Sequence, residues 1–217
     1  MRLPLLGPTG PAARRYAASP PDTGIAWRAA DYCVLDVETT GLDPRRDQII
    51  ACGAVPVSQG RIRAADAFYQ LIRPDCAIAE SATRVHALRQ ADLDGAPRME
   101  ECLEELLTVM TGRILVAHSA WVERAFLGRA LRPARVTLHE PVLDTAALAY
   151  RCLDLPRRPG WAISLEYTAS ALGMPVHTPH HALGDAMTTA EVFLALAGRL
   201  SAGTARTVSD LVDLQTR

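Results

Sequence analysis

The chain of 217 residues contains no lysine and no asparagine. All 23 of its basic residues are arginines, so phosphate groups can be gripped only by planar guanidinium forks. Chemistry that needs a lysine nucleophile is excluded. Neither sign of charge is in excess. The 24 acidic residues leave a net charge of −1, which argues against a polybasic protein that coats a duplex. The five cysteines (Cys33, Cys52, Cys76, Cys102, Cys152) are odd in number and never in C-x-x-C spacing. That argues against a zinc or disulfide framework and for a reducing compartment. No stretch approaches the ~20 apolar residues that cross a bilayer. Pro4, Pro8 and Pro11 interrupt the leucines near the start, so a signal peptide is not expected and the chain reads as cytoplasmic, with no membrane partner.

What is present is ordinary for a folded protein: 49% hydrophobic and 22% charged residues, enough for a proper core. At roughly 150 residues per domain, the length suggests one domain plus an extension. Residues 1–29 are rich in Pro, Gly and Ala and read as an irregular arm anchored by Trp27. Residues 30–200 carry the periodic patterns, and 201–217 form a short tail with Val208, Leu211 and Leu214.

The run Tyr32-Cys33-Val34-Leu35-Asp36-Val37 is apolar and rich in strand formers, and reads as a buried central strand. A second strand is expected over 48–57 and a third over 61–72, with a turn at Gly60 between them. Residues 99–110 place Met99, Cys102, Leu103, Leu106, Leu107 and Met110 on one helical stripe, ended by Gly112. Ile114 to Ala117 is a short buried strand leading to His118. Helices are expected at about 119–131, 144–152, 164–172 and 181–199. Strands first, then alternating helices and strands, indicate an α/β layer fold with a mixed sheet.

Asp36 and Glu38 stand at i and i+2 at the end of the buried strand, on one face of it. Burying two carboxylates costs several kcal/mol each, on the order of the figures for unpaired ions, unless they are paired or bind a metal. No arginine lies within six residues of the pair. A hard divalent cation such as Mg²⁺ or Mn²⁺ suits them.

Val34-Leu35-Asp36-Val37-Glu38-Thr39-Thr40-Gly41-Leu42, with the Asp47 to Ile50 stretch downstream, resembles the first motif of the DEDDh 3′→5′ exonucleases. That group includes the ε proofreading subunit of bacterial replicases. Two further motifs follow in order. Leu115-Val116-Ala117-His118-Ser119-Ala120-Trp121-Val122-Glu123 through Leu127 resembles L-V-A-H-N-A-x-F-D-x-x-F-L, with two departures. Ser119 stands where asparagine is usual, and Glu123 stands where the family has aspartate, one methylene shorter. His180-His181-Ala182-Leu183-Gly184-Asp185-Ala186 resembles H-x-A-x-x-D-A. Two smaller matches keep the register. Asp144-Thr145 resembles a D-T pair that would cap a helix, and Ala82 to Leu88, with His86, resembles a segment lining the substrate groove.

The resemblance implies a ribonuclease H-like three-layer α/β fold, a central mixed five-stranded sheet flanked by helices. It implies two divalent ions, Mg²⁺ or Mn²⁺, held by Asp36, Glu38, Glu123 and Asp185, with His180 as general base. Thr39, Thr40, Gly41, Leu42, His86, His118, Ser119 and Trp121 are expected at the substrate cleft; Trp121 either stacks a base or fills the core, and its place beside the cleft with Ser119 favours stacking. Arg45-Arg46 and Arg157-Arg158 are candidate phosphate contacts. The expected substrate is the 3′ end of single-stranded DNA or RNA. A polymerase or repair complex and a second copy of the chain are the partners left open. Two alternatives stay open as well: a non-catalytic polymerase-associated module in which Glu123 spoils the metal site, and an oligoribonuclease-like RNA exonuclease. Setting the four carboxylates aside leaves 23 basic residues against 20 acidic ones, a mildly cationic body that suits one strand end.

Overall fold

The computed structural model describes residues 7–156, 162–203 and 206–216. Strands β1 (Asp31–Thr39) and β2 (Ile49–Ser58) pair antiparallel along their whole length, from Asp31 opposite Ser58 to Glu38 opposite Ala51. Gly60, in a left-handed conformation, turns the chain into β3 (Arg61–Ile62). The expected third strand over 61–72 is two strands. Ala64–Asp66, made of weak strand formers, winds into a single 3-10 turn, and β4 (Phe68–Leu71) then returns to pair with β2. Strands β5 (Ile114–Ala117) and β6 (Leu143–Asp144) add on the other side, both parallel to β1. The order is β3-β2-β1-β5-β6 with β4 beside β2, so the mixed sheet has six strands, one more than expected.

Helices cover both faces. On one face lie α6 (Thr145–Cys152), α7 (Leu165–Leu172) and the long α8 (Ala182–Ser201), packed on Tyr32, Val34, Val55 and Val57. On the other lie α4 (Met99–Met110) and α5 (Trp121–Ala130), packed on Cys33, Leu35, Cys52 and Ala54. Between β4 and α4 run the short α2 (Glu80–His86) and α3 (Gln90–Leu93). The alternation of Tyr32, Cys33, Val34 and Leu35 between two helical layers explains why β1 reads as a continuous apolar run.

The segment expected to be an irregular arm contains a helix, α1 (Pro11–Ala18). Proline at its first position is pre-organised for helix, and the alanines that follow favour it. Its Ala12, Ala13 and Tyr16 are buried against α4, and Ala12 N donates to Glu104 Oε1 at 3.0 Å. Trp27 is buried, and its carbonyl accepts the Tyr32 hydroxyl at 2.6 Å. The tail forms α9 (Val208–Thr216), whose Val208, Leu211 and Leu214 fill the core beside α6. Among the described residues, no helix is long and apolar enough to cross a membrane.

Candidate active site

The end of β1 carries Asp36 and Glu38, both half-buried and on the face that α8 covers. Asp185 sits in the first turn of α8, and Glu123 in the first turn of α5. Ligand atoms of Asp36, Glu38 and Asp185 all lie within 4.8 Å of one another. Glu123 falls outside that trio, yet it is the foremost charged neighbour acting on Asp36. It is buried rather than displayed on the helix surface. The adjacent Arg124 does not neutralise it, because that guanidinium turns to Glu140 Oε1 at 2.8 Å and the Val142 carbonyl.

All four carboxyls hold their protons more tightly than usual. Burial pushes Glu38 up to about 7, with Asp185 adding to it. Burial pushes Glu123 up to about 8, with Asp144 and Glu38 adding. Asp185 rises to about 6 through burial, opposed by the His180 amide and ring. Asp36 is raised by burial and then by Glu123, Glu38 and Asp185, all of its own sign. Two buried oxygens, Glu123 Oε2 and Asp185 Oδ1, have no hydrogen-bond partner among the described residues. Native folds rarely leave such oxygens orphaned. A hard divalent cation at the trio would satisfy the Asp185 oxygen and offset the crowded acidic groups, so Asp36, Glu38 and Asp185 fit the metal that the resemblance implies, with Glu123 beside them.

The raised values carry a stability consequence. Without cation, the folded protein keeps protons that the unfolded chain loses near pH ~4. Its stability is therefore greatest at low pH within this window and falls as pH rises through about 6, 7 and 8, where Asp185, Glu38 and Glu123 ionise in the fold. Thermal melts in EDTA are expected to drop between pH 5 and pH 8, and Mn²⁺ to restore the loss most at pH 8. Melts at pH 8 that are the same with and without Mn²⁺ contradict this.

His180 is exposed in the loop before α8, with its backbone N–H donating to Asp185 Oδ2 at 2.9 Å. Leu42 is 67% exposed and Trp121 53%, so both are free to meet a ligand. Other residues assigned to the cleft are engaged within the fold. The Thr39 hydroxyl donates to the Gly41 carbonyl, and the Thr40 hydroxyl donates to Asp47 Oδ1 while accepting from Gln48 N. At Gly41 an added Cβ would come within 2.5 Å of Asp47 Oδ2, so glycine lets the loop close on that carboxylate. The buried His86 donates from Nε2 to the Thr39 carbonyl and accepts Leu88 N at Nδ1. His118 Nε2 donates to the Ile163 carbonyl, and its Nδ1 lies 2.9 Å from Thr145 Oγ1. Among the described residues both rings are thus engaged at both nitrogens within the fold. Arg45 and Arg46 are exposed, Arg46 paired with Asp43 at 3.8 Å. Arg157 and Arg158 lie outside the described residues.

Ser119 has φ +59, the left-handed region in which asparagine is several-fold enriched. Its N–H donates to Asp144 Oδ1, which also caps α6 through Ala146 N and Ala147 N. The asparagine usual at this position therefore has a conformational reason. Ser119→Asn is expected to raise the melting temperature by about 1–3 °C, since ~1 kcal/mol moves it by about 2–4 °C in a chain this size. A lower melting temperature would show that the serine hydroxyl matters more than the backbone.

The structure is a mixed sheet between helical layers, with acidic side chains gathered at the end of its central strand. The comparisons give the family. Residues 33–193 match the family described as RNase_T, exonuclease, and the chain belongs to that family. The DNA polymerase III subunit epsilon of Aquifex aeolicus is 30% identical over 170 residues, covering 78% of this chain and 81% of its own. The PolC-type DNA polymerase III of Thermotoga petrophila is 36% identical over 166 residues, 76% of this chain. The chain spans only 12% of the length of that relative. Among solved structures, exonuclease X in complex with 5′ overhanging duplex DNA superposes with a TM-score of 0.63 at 24% identity, over 85% of this chain and 99% of that one.

Sequence reasoning passed over Gly53. An added Cβ there would lie 2.3 Å from Leu183 N, so the start of α8 rests on the bare backbone of β2. A glycine inside a strand is itself a sign of close backbone approach, and it was legible.

Proposed function

We propose that the chain is a metal-dependent 3′→5′ exonuclease that releases nucleoside 5′-monophosphates from the end of a single strand, DNA in preference to RNA. The observation that carries this reading is the crowd of raised carboxyls, with two orphaned oxygens, beside a loop histidine. Asp36, Glu38, Asp185 and Glu123 would hold two ions, Mg²⁺ or Mn²⁺, which supply neutralisation of charge on the phosphoryl oxygens and on the leaving 3′ oxygen. His180 takes a proton at an imidazole nitrogen as a water oxygen attacks phosphorus, and the bond to the 3′ oxygen of the next nucleotide breaks. Asp185 Oδ2 fixes the backbone from which that imidazole projects. Leu42 wedges against the terminal base, Trp121 stacks on a base, and the backbone of Thr39 to Gly41 holds the 3′ hydroxyl. Contact with a polymerase is proposed from the epsilon relative.

The test is digestion of 5′-labelled single strands with Mg²⁺, DNA and RNA in parallel, from dinucleotides upward. A ladder descending one nucleotide at a time, faster on DNA, supports the reading. Degradation confined to RNA or to dinucleotides moves it to an oligoribonuclease-like enzyme. No ladder at any metal level, with wild type and Asp36→Ala alike, sinks it.

The position of Glu123 outside the 4.8 Å trio favours a second reading, a module with a spoiled metal site. Activity that appears only in Glu123→Asp decides for the module. Activity in wild type decides against it.

A further inference from the structure

We propose that Tyr69 is a positioning residue for the hydrolysis, holding His180 and Asp185 in place through a ring stack on His181. The inference rests on the exonuclease reading above.

The sheet register places three residues in one row. Asp36 on β1 lies opposite Gly53 on β2, and Gly53 lies opposite Tyr69 on β4. Residues directly opposite in antiparallel pairs share a face, so Asp36 and Tyr69 flank the bare strip at Gly53 on the side that α8 covers. The start of α8 seats there: an added Cβ at Gly53 would meet Leu183 N at 2.3 Å and the Ala182 carbonyl oxygen at 2.4 Å. At the Asp36 end of the row, Asp185 joins the carboxylate cluster. At the other end, the Tyr69 ring stacks on His181, centroids 4.6 Å apart and planes 23° from parallel.

His181 is the N-cap of α8, and its side chain makes no capping hydrogen bond. Its ring is spent on Tyr69 instead. On either side of it the backbone is constrained. His180 has φ +59 and Thr178 φ +29, both in the left-handed region that L-residues enter at a cost. Gly184 packs so tightly that an added Cβ would lie 2.6 Å from both the His177 and Thr178 carbonyl oxygens. The loop and the first turn of α8 are therefore packed as one piece. That piece is held from below by Gly53 and at its flank by Tyr69. The His180 ring is exposed, so its position is inherited from this backbone. Tyr69 does not enter the chemistry. It sets where the base and the last carboxylate stand.

The test uses hydrogen exchange over residues 178–183 together with steady-state kinetics on a single-stranded DNA substrate, for wild type, Tyr69→Leu, Tyr69→Phe and His181→Ala. An aromatic stack contributes enough that its loss is expected to speed exchange of this segment roughly three- to tenfold. Tyr69→Leu and His181→Ala are expected to lower kcat by a similar factor with KM unchanged, and the double variant to be no worse than either single one. Tyr69→Phe, which keeps the ring, is expected to match wild type in both measurements. Unchanged exchange in Tyr69→Leu, or Tyr69→Phe as impaired as Tyr69→Leu, overturns the proposal. Should wild type show no nuclease activity, the function reading fails while the exchange result still decides on the stack.

Discussion

Asp36→Asn is expected to lower hydrolysis more than roughly 10³-fold, because two-cation neutralisation of the phosphoryl group is worth several kcal/mol. Asp36 is the residue on which the other carboxylates converge: Glu123, Glu38 and Asp185 all raise its pKa. The amide has nearly the same shape but offers no charge to a cation. Removing one member of a mutually repelling set also relieves the metal-free fold. The variant is thus expected to melt a few degrees higher than wild type at pH 8 in EDTA, at about 2–4 °C per kcal/mol. Activity and stability move in opposite directions, which a simple folding defect does not produce. A variant that loses activity and also melts lower in EDTA would mean that Asp36 is structural.

His180→Asn is expected to cost between about 10² and 10⁴ in kcat, the range typical of a general base. Asparagine is the suitable replacement because the position has φ +59. The hydrogen bond to Asp185 Oδ2 comes from the backbone N–H and survives the change. Thermal stability should then stay within about 1–2 °C of wild type, so that the loss reports the imidazole alone. Rates within a factor of two of wild type would remove His180 from the mechanism.

Much of the architecture was legible because its signals are local. β1 announces itself through a run of strand formers that ends on paired carboxylates. α4 announces itself through a stripe repeating every three or four residues, and it occupies Met99–Met110 as expected. The His180 and Asp185 pair is recognisable because a loop histidine is followed, five positions on, by an acidic residue in the first turn of a helix. What escaped depends on distant partners. The Pro11 start and the alanines after it favour a helix, but nothing within residues 11–18 says that Tyr16 will stack on His139 at 4.2 Å and that the helix will pack against α4. The inward turn of His118 depends on Thr145 and Ile163, which lie 27 and 45 residues away. The break between β3 and β4 reflects weak strand formers at Ala64 and Ala65, a local signal masked by the alternation around it. The sequence shows the charge and length of Glu123 and no more. Its burial, and its place beside Asp36 but outside the tight trio, follow from how α5 packs against the end of β1.

The role of Ser119 shows how composition and geometry meet. A chain without asparagine has to place another residue in the left-handed turn that starts the second motif, and serine serves there with its N–H fixed by Asp144. Gln215 of α9 accepts from Asp144 N and donates to the Val142 carbonyl, so the last helix braces the same corner. The second motif is therefore supported from residues nearly one hundred positions downstream.

The central claim is that these buried carboxylates are arranged to hold divalent cations. Calorimetric titration of the metal-free protein with Mn²⁺ at pH 7, repeated in buffers of different ionisation enthalpy, tests it most directly. Saturable binding is expected, with protons released on binding, because Glu38 and Glu123 still hold protons there. Asp36→Asn is expected to abolish the tight phase. No saturable heat in wild type, or the same binding curve in Asp36→Asn, would contradict the account.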